Sequence, residues 1–100
     1  MSYTLRQRGG IETEVRRALD YYAVQAPEQV ARFLAALDEA TARILRDPLV
    51  SRKALGEGRR VKLVGFPYKL WFRVYEEHQI VFLVGLTHTR QDETELTPYL

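Results

Sequence analysis

The chain of 100 residues contains no cysteine, which excludes disulfides and thiolate metal sites and leaves stability to packing alone. Histidine is almost missing too: His78 and His88 are the only 2, too few ligands for a zinc site. The longest uncharged apolar run, residues 80–86, is far too short to span a bilayer, and the opening Met-Ser-Tyr-Thr-Leu-Arg lacks the apolar block of a signal peptide. A soluble, cytoplasmic protein with no membrane contact, no metal and no cofactor is therefore expected. Neither sign of charge dominates, since 15 Lys and Arg against 13 Asp and Glu leave a net +2, so any electrostatic role rests on where the charges sit.

What is present is enough for one modest core. With 46% hydrophobic and 28% charged residues over 100 positions, the expectation is a single domain spanning residues 1–100. Acidic residues concentrate early (Glu12, Glu14, Asp20, Glu28, Asp38, Glu39) and at the end (Asp92, Glu93, Glu95), while Arg52, Lys53, Arg59, Arg60, Lys62, Lys69 and Arg73 crowd the middle. The plain interpretation of that middle segment is an ordinary solvated surface of mixed charge.

The hydrophobic periods predict strand, helix, helix, then three strands. Residues 3–7 alternate apolar and polar side chains, as an edge strand does, until Gly9-Gly10 breaks the pattern. Ile11, Val15, Ala18, Leu19 and Tyr22 then fall at helical spacing, and the early acids Glu12 and Glu14 suit a helix N-terminus. Pro27 disfavours helical geometry at Ala26 but fits the first position of a new helix. Val30, Phe33, Leu34, Leu37, Thr41, Ile44 and Leu45 form the stripe of that second helix, which Asp47-Pro48 ends. The short junction implies an antiparallel helix hairpin. Residues 49–58, with Gly56 and Gly58, read as a mobile loop.

In the strands that follow, alternation separates side chains by type. Val61 and Leu63 point one way and Arg60 and Lys62 the other; after the Gly65-Phe66-Pro67 turn, Tyr68, Leu70, Phe72 and Val74 share a face opposite Lys69, Trp71, Arg73 and Tyr75. Residues 80–86 are apolar on both faces, as in a central strand. The fold class expected is α+β: an N-terminal strand and an antiparallel helix hairpin packed on one face of a mainly antiparallel four-stranded sheet (β-α-α-β-β-β). If the helices cover the aliphatic face, Arg60, Lys62, Lys69, Trp71, Arg73 and Tyr75 remain on the other, a candidate target-binding surface for an acidic protein or a nucleic acid. Trp71 and Tyr75 suit burial under a partner or stacking on bases alike.

Two further sets of residues are candidates. His88, two residues before Arg90, has the chemistry of a general acid or base, against the simpler role of a strand-end histidine bonded to a loop. Arg90 has the simpler role of pairing with Asp92 or Glu93. On the helices, Tyr21, Val24, Ala31, Ala35 and Ala42 lie off the core stripe, where an amphipathic partner segment or a second copy of the chain can lie; the alanines are otherwise simply good helix formers.

The ordered set of Tyr-Thr-Leu at the start, Leu-Asp-Tyr-Tyr (residues 19–22), Pro-Glu-x-x-x-x-Phe-Leu (27–34), Asp-Pro at the helix end, Arg-Arg-x-x-x-x-Gly-Phe-Pro-Tyr-x-Leu-x-Phe-Arg-Val (59–74) and His-x-Arg (88–90) resembles the RelE/ParE toxin superfamily. It resembles most the ParE branch, also called plasmid stabilisation proteins. The resemblance implies a toxin of a type II toxin–antitoxin system, silenced by a cognate antitoxin, with DNA gyrase as the target and no enzymatic activity of its own. The RelE branch implies instead a metal-independent endoribonuclease acting on mRNA at the ribosome. Such chemistry needs a proton acceptor, a proton donor and cations around the phosphate; Arg60, Lys62 and Arg73 supply charge here, and His88, Glu57 or Tyr99 are the proton-moving candidates, with Arg90 beside them. A non-toxic binding domain of the same fold is the third alternative, and a homodimer is compatible with all of them.

Overall fold

The computed structural model describes residues 2–100. Strand β1 (Thr4–Gln7) runs into the Gly9-Gly10 turn, and α1 (Ile11–Gln25) starts with Glu12 and Glu14 in its first turn, where carboxylates favour the N-terminal dipole. Extended geometry at Ala26 ends α1, and Pro27 opens a single 3₁₀ turn, Pro27–Gln29, that leads into α2 (Val30–Arg46). Helix α2 closes with Arg43 and Arg46 at its C-terminal end, where cations are favoured. The tight junction folds α2 back on α1 and sets the Tyr22 ring 5.5 Å from that of Phe33.

The remaining strands are β2 (Lys53–Leu55), β3 (Gly58–Lys62), β4 (Tyr68–Tyr75) and β5 (Ile80–His88). They form one mixed five-stranded sheet in the order β1-β5-β4-β3-β2, with β1 parallel to β5 and the other neighbours antiparallel. The expected four strands thus become five. The extra one, β2, lies in the segment read as a mobile loop: Gly56, at φ +57°, turns the chain so that Lys53 pairs Arg59. Its three residues are all exposed, so no buried face imposed an alternation on the sequence.

The helices cover the aliphatic face. Phe33 and Ile44 of α2 and Ile11 and Ala18 of α1 pack with Leu63, Leu70, Phe72, Val81 and Leu86 in the main core. Rings of Tyr22, Phe33, Phe66 and Tyr68 meet edge to face at the hairpin end, with Phe33–Phe66 centroids 5.3 Å apart. Strand β5 carries a bulge: Trp71 pairs Gly85 but Phe72 pairs Leu83, which leaves Val84 as the extra residue. Val84 therefore faces away from the helices, with Trp71. Where β1 stops short, Arg8 and Glu14 finish the edge of β5: the Arg8 guanidinium donates to the Val84 carbonyl and pairs with Glu14, whose other oxygen accepts the Leu86 N–H at 2.9 Å.

The second face of the sheet is not left open. A 3₁₀ segment, Thr94–Tyr99, crosses it, and Leu96 and Leu100 join Trp71, Val84 and Phe82 in a smaller second core. The hydrophobic pattern of the strands foretold the separation of faces but not this cover, because the path of residues 93–100 has no period to reveal it.

Candidate functional site

The helix-free face gathers the cations that the alternation placed there. Arg60 pairs Trp71 across the β3–β4 ladder and Lys62 pairs Lys69, so these four side chains occupy adjoining positions, followed along β4 by Arg73 and Tyr75. The Arg60 guanidinium lies 5.3 Å from the Trp71 ring centroid, the Lys69 ammonium 6.0 Å, and the Arg73 guanidinium 5.0 Å from the ring of Tyr75. Arg60, Lys62 and Tyr75 are exposed, whereas Lys69 and Arg73 are half-buried. Among the described residues, the buried Nε of Arg73 has no hydrogen-bond partner, so its guanidinium keeps donor capacity unused.

Lys62 directly opposite Lys69 is a like-charge pair, destabilising in a sheet unless an anion offsets it. Glu93 supplies that anion, 2.7 Å from Lys69. Trp71 is 0% exposed. Its indole N–H donates to the hydroxyl of Thr87 at 3.0 Å, and Leu96 lies over it, so base stacking on this ring is closed while the segment stays in place.

The proton-moving candidates are dispersed: Glu57 is within electrostatic reach of Arg73, Tyr99 lies in the segment that crosses this face, and His88 is on the opposite one. On β5 the side chains of Thr87 and His88 point to opposite faces, and Thr87 is the one that meets Trp71. His88 turns to the helix side, 5.2 Å edge-on to Tyr68, and its Nδ1 accepts the N–H of Arg90 at 3.1 Å. That is the bonding of a strand-end histidine tied to its loop. Glu57, in the turn between β2 and β3, pairs with Lys53 at 2.9 Å, and the hydrogen bond from Lys53, then its charge, hold the Glu57 carboxyl below its ordinary value. A carboxylate depressed in this way is a poor proton acceptor at neutral pH. Tyr99 lies under the Arg8 guanidinium, 5.0 Å from it. Arg90 is exposed and does not take the expected partners: Glu93 goes to Lys69, and Asp92 accepts the N–H and hydroxyl of Thr94, the hydroxyl contact first among the causes that hold its carboxyl low.

His88 also lines a cleft of about 420 Å³ with Glu14, Arg17, Tyr21, Tyr22 and Tyr68. Its walls include tyrosines 22 and 68, both raised above the ordinary 10.0, chiefly by burial and then by neighbouring tyrosine. On the outer surface of the hairpin, Tyr21 is 58% and Val24 77% exposed, and Ala31, Ala35 and Ala42 are exposed beside them. Among the described residues no group of three or more His, Asp or Glu side chains is placed to hold a metal ion, and no helix is long and apolar enough to cross a membrane. Sequence reasoning missed Glu93, Leu96 and Leu100 as parts of the cationic face. The available signal was faint: an acid cluster followed by two leucines four residues apart.

A cationic, aromatic-centred sheet face backed by a helix hairpin defines a surface suited to an acidic partner. Residues 6–93 match the family model described as "ParE toxin of type II toxin-antitoxin system, parDE", and the chain belongs to that family. No curated protein matches it by sequence. Among solved structures, the chain is similar to the chromosomal ParDE toxin–antitoxin system of P. aeruginosa, with a TM-score of 0.71 at 13% identity, covering 86% of this chain and 95% of that one. It is also similar to a free mutant of the E. coli toxin RelE, with a TM-score of 0.64 at 19% identity over 98% and 93% of the two chains. A third likeness is to the toxin–antitoxin complex RelBE2 of Mycobacterium tuberculosis, with a TM-score of 0.61 at 21% identity over 88% and 99%. The fold is thus that of the RelE/ParE toxins.

Proposed function

We propose that this chain, acting as one domain in the cytoplasm, is a toxin that inhibits DNA gyrase through the face formed by Arg60, Lys62, Lys69, Trp71, Arg73 and Tyr75. One observation carries the reading. The cations cluster around Trp71 on one face, whereas His88, the group best suited to proton transfer, lies on the other and spends Nδ1 on the backbone of Arg90. Cations around a tryptophan, with the histidine on the opposite side, favour binding over strand cleavage, which requires an acid and a base converging on one point. The same observation weighs against the ribonuclease alternative, in which His88 and Arg90 would be catalytic.

A cognate antitoxin is the natural partner for the outer side of the hairpin. Tyr21 and Val24 expose apolar surface next to the alanine row 31, 35 and 42, and small side chains let an amphipathic segment come close. A second copy of the chain is the competing occupant of that surface. Neutralisation then works by covering the toxin or by holding it away from its target.

The experiment adds the purified protein to a gyrase supercoiling reaction and, separately, to translating ribosomes. Blocked supercoiling with accumulation of cleaved DNA, and intact messenger RNA, is the expected result. Cleaved messenger RNA with unaffected gyrase would replace this reading by the ribonuclease one.

A further inference from the structure

The segment that crosses the cationic face is built as a ligand for it. Residues 91–100 carry three acids, Asp92, Glu93 and Glu95, and no cation, so their charge complements the face they lie on. Glu93 occupies the one position where Lys62 and Lys69 need an anion, and both members of the Glu93–Lys69 pair keep only 19% side-chain exposure. Leu96 and Leu100 fill the apolar floor of Trp71, Val84 and Phe82, and the main-chain oxygen of Leu100 accepts the N–H of Glu57.

The seat has been left empty of side chains where the segment passes. A Cβ on Gly85 would come within 2.9 Å of the Leu96 side chain, one on Gly56 within 2.7 Å of the Leu100 oxygen, and one on Gly58 would overlap the Leu100 side chain. Yet few contacts hold the segment: one ion pair, two leucines, the Tyr99 ring under Arg8 and one backbone hydrogen bond to the β2–β3 turn. Segments held so sparsely open at far lower cost than the strands beneath them. The family match ends at residue 93, so residues 94–100 lie outside it.

We infer that residues 92–100 form a strap that closes the cationic face in place of its partner, and that the partner which displaces it is an acidic, leucine-bearing segment of a protein. The strap itself states the chemistry: carboxylate at Lys69, aliphatic side chains over Trp71. A nucleic acid offers phosphates to the cations and bases to Trp71 and Phe82, but no aliphatic side chain to take the place of Leu96 and Leu100 against Val84. The inference deepens the proposed target site and rests on it for its consequence, but strap opening is measurable with no target present.

Trp71 is the only tryptophan, and it lies directly under the strap. In the full-length Glu93→Lys/Leu96→Ser variant, acrylamide quenching of Trp71 should rise several-fold and its emission shift to the red, with the far-ultraviolet circular dichroism retained. A synthetic peptide of residues 91–100 added in trans should restore protection, and a scrambled peptide or a single-stranded oligonucleotide should not. Unchanged quenching in the folded variant overturns the strap, and protection by the oligonucleotide alone overturns the ligand class. Should the variant fail to fold, hydrogen exchange on the unaltered protein decides: the Glu57, Leu96 and Leu100 amides should exchange well before those of β4 and β5, and equal protection contradicts the strap. In the supercoiling assay the released variant should inhibit gyrase at a several-fold lower concentration. Opened Trp71 with gyrase untouched by either protein leaves the strap supported and overturns the target.

Discussion

At the scale of single residues, the hydrogen bond between Trp71 and Thr87 joins two fully buried groups across the β4–β5 ladder. Replacing Thr87→Val keeps the shape and strands the indole N–H, a loss of about 1–3 kcal/mol, read by urea denaturation. Tyr22 and Tyr68 offer a second test. Their pKa values lie above the ordinary 10.0 because burial disfavours the phenolate, with neighbouring tyrosine adding to it. A raised folded-state value contributes stability that is complete below the unfolded pKa and is lost as pH climbs through the folded one. Two tyrosines should therefore titrate late in the near-ultraviolet tyrosinate band, and Tyr22→Phe/Tyr68→Phe should flatten the alkaline fall in stability. These partnerships were hidden in the sequence, since Thr87 and Trp71 are 16 positions apart and only the ladder register brings them together.

At the scale of elements, the legible parts were those with a period and a punctuation mark. Both helices could be read because their apolar stripes repeat at helical spacing between Gly10, Pro27 and Pro48, and β4 because Tyr68, Leu70, Phe72 and Val74 alternate with Lys69 and Arg73. β2 was illegible because all three of its residues are exposed, and its pairing depends on the left-handed turn at Gly56 rather than on hydrophobicity. The Thr94–Tyr99 segment was illegible for another reason: its leucines meet a face already composed by other strands, a contact that no local pattern encodes. The same alternation that exposed the cations could not tell which of them would be covered. For the helix hairpin, Val24→Asp/Ala35→Asp should leave toxicity intact and weaken antitoxin binding by about 2 kcal/mol or more, roughly thirtyfold in Kd, measured by calorimetry.

At the scale of the whole molecule, one pleated layer separates two chemistries. The helices take the aliphatic side, and the side they leave collects Arg60, Lys62, Lys69 and Arg73 around a tryptophan that the end of the chain then covers. A net charge of only +2 hides this, because the early and late acids balance a middle segment that is strongly basic. The face is a small focused field on a nearly neutral protein, which favours a complementary partner over indiscriminate binding. Growth inhibition by the folded Arg60→Glu/Arg73→Glu variant tests this most directly, with circular dichroism as the control for folding. The expected result is toxicity lost through target binding roughly a hundredfold weaker, since like charges across an interface cost several kcal/mol. Undiminished toxicity in a folded double variant would contradict the account.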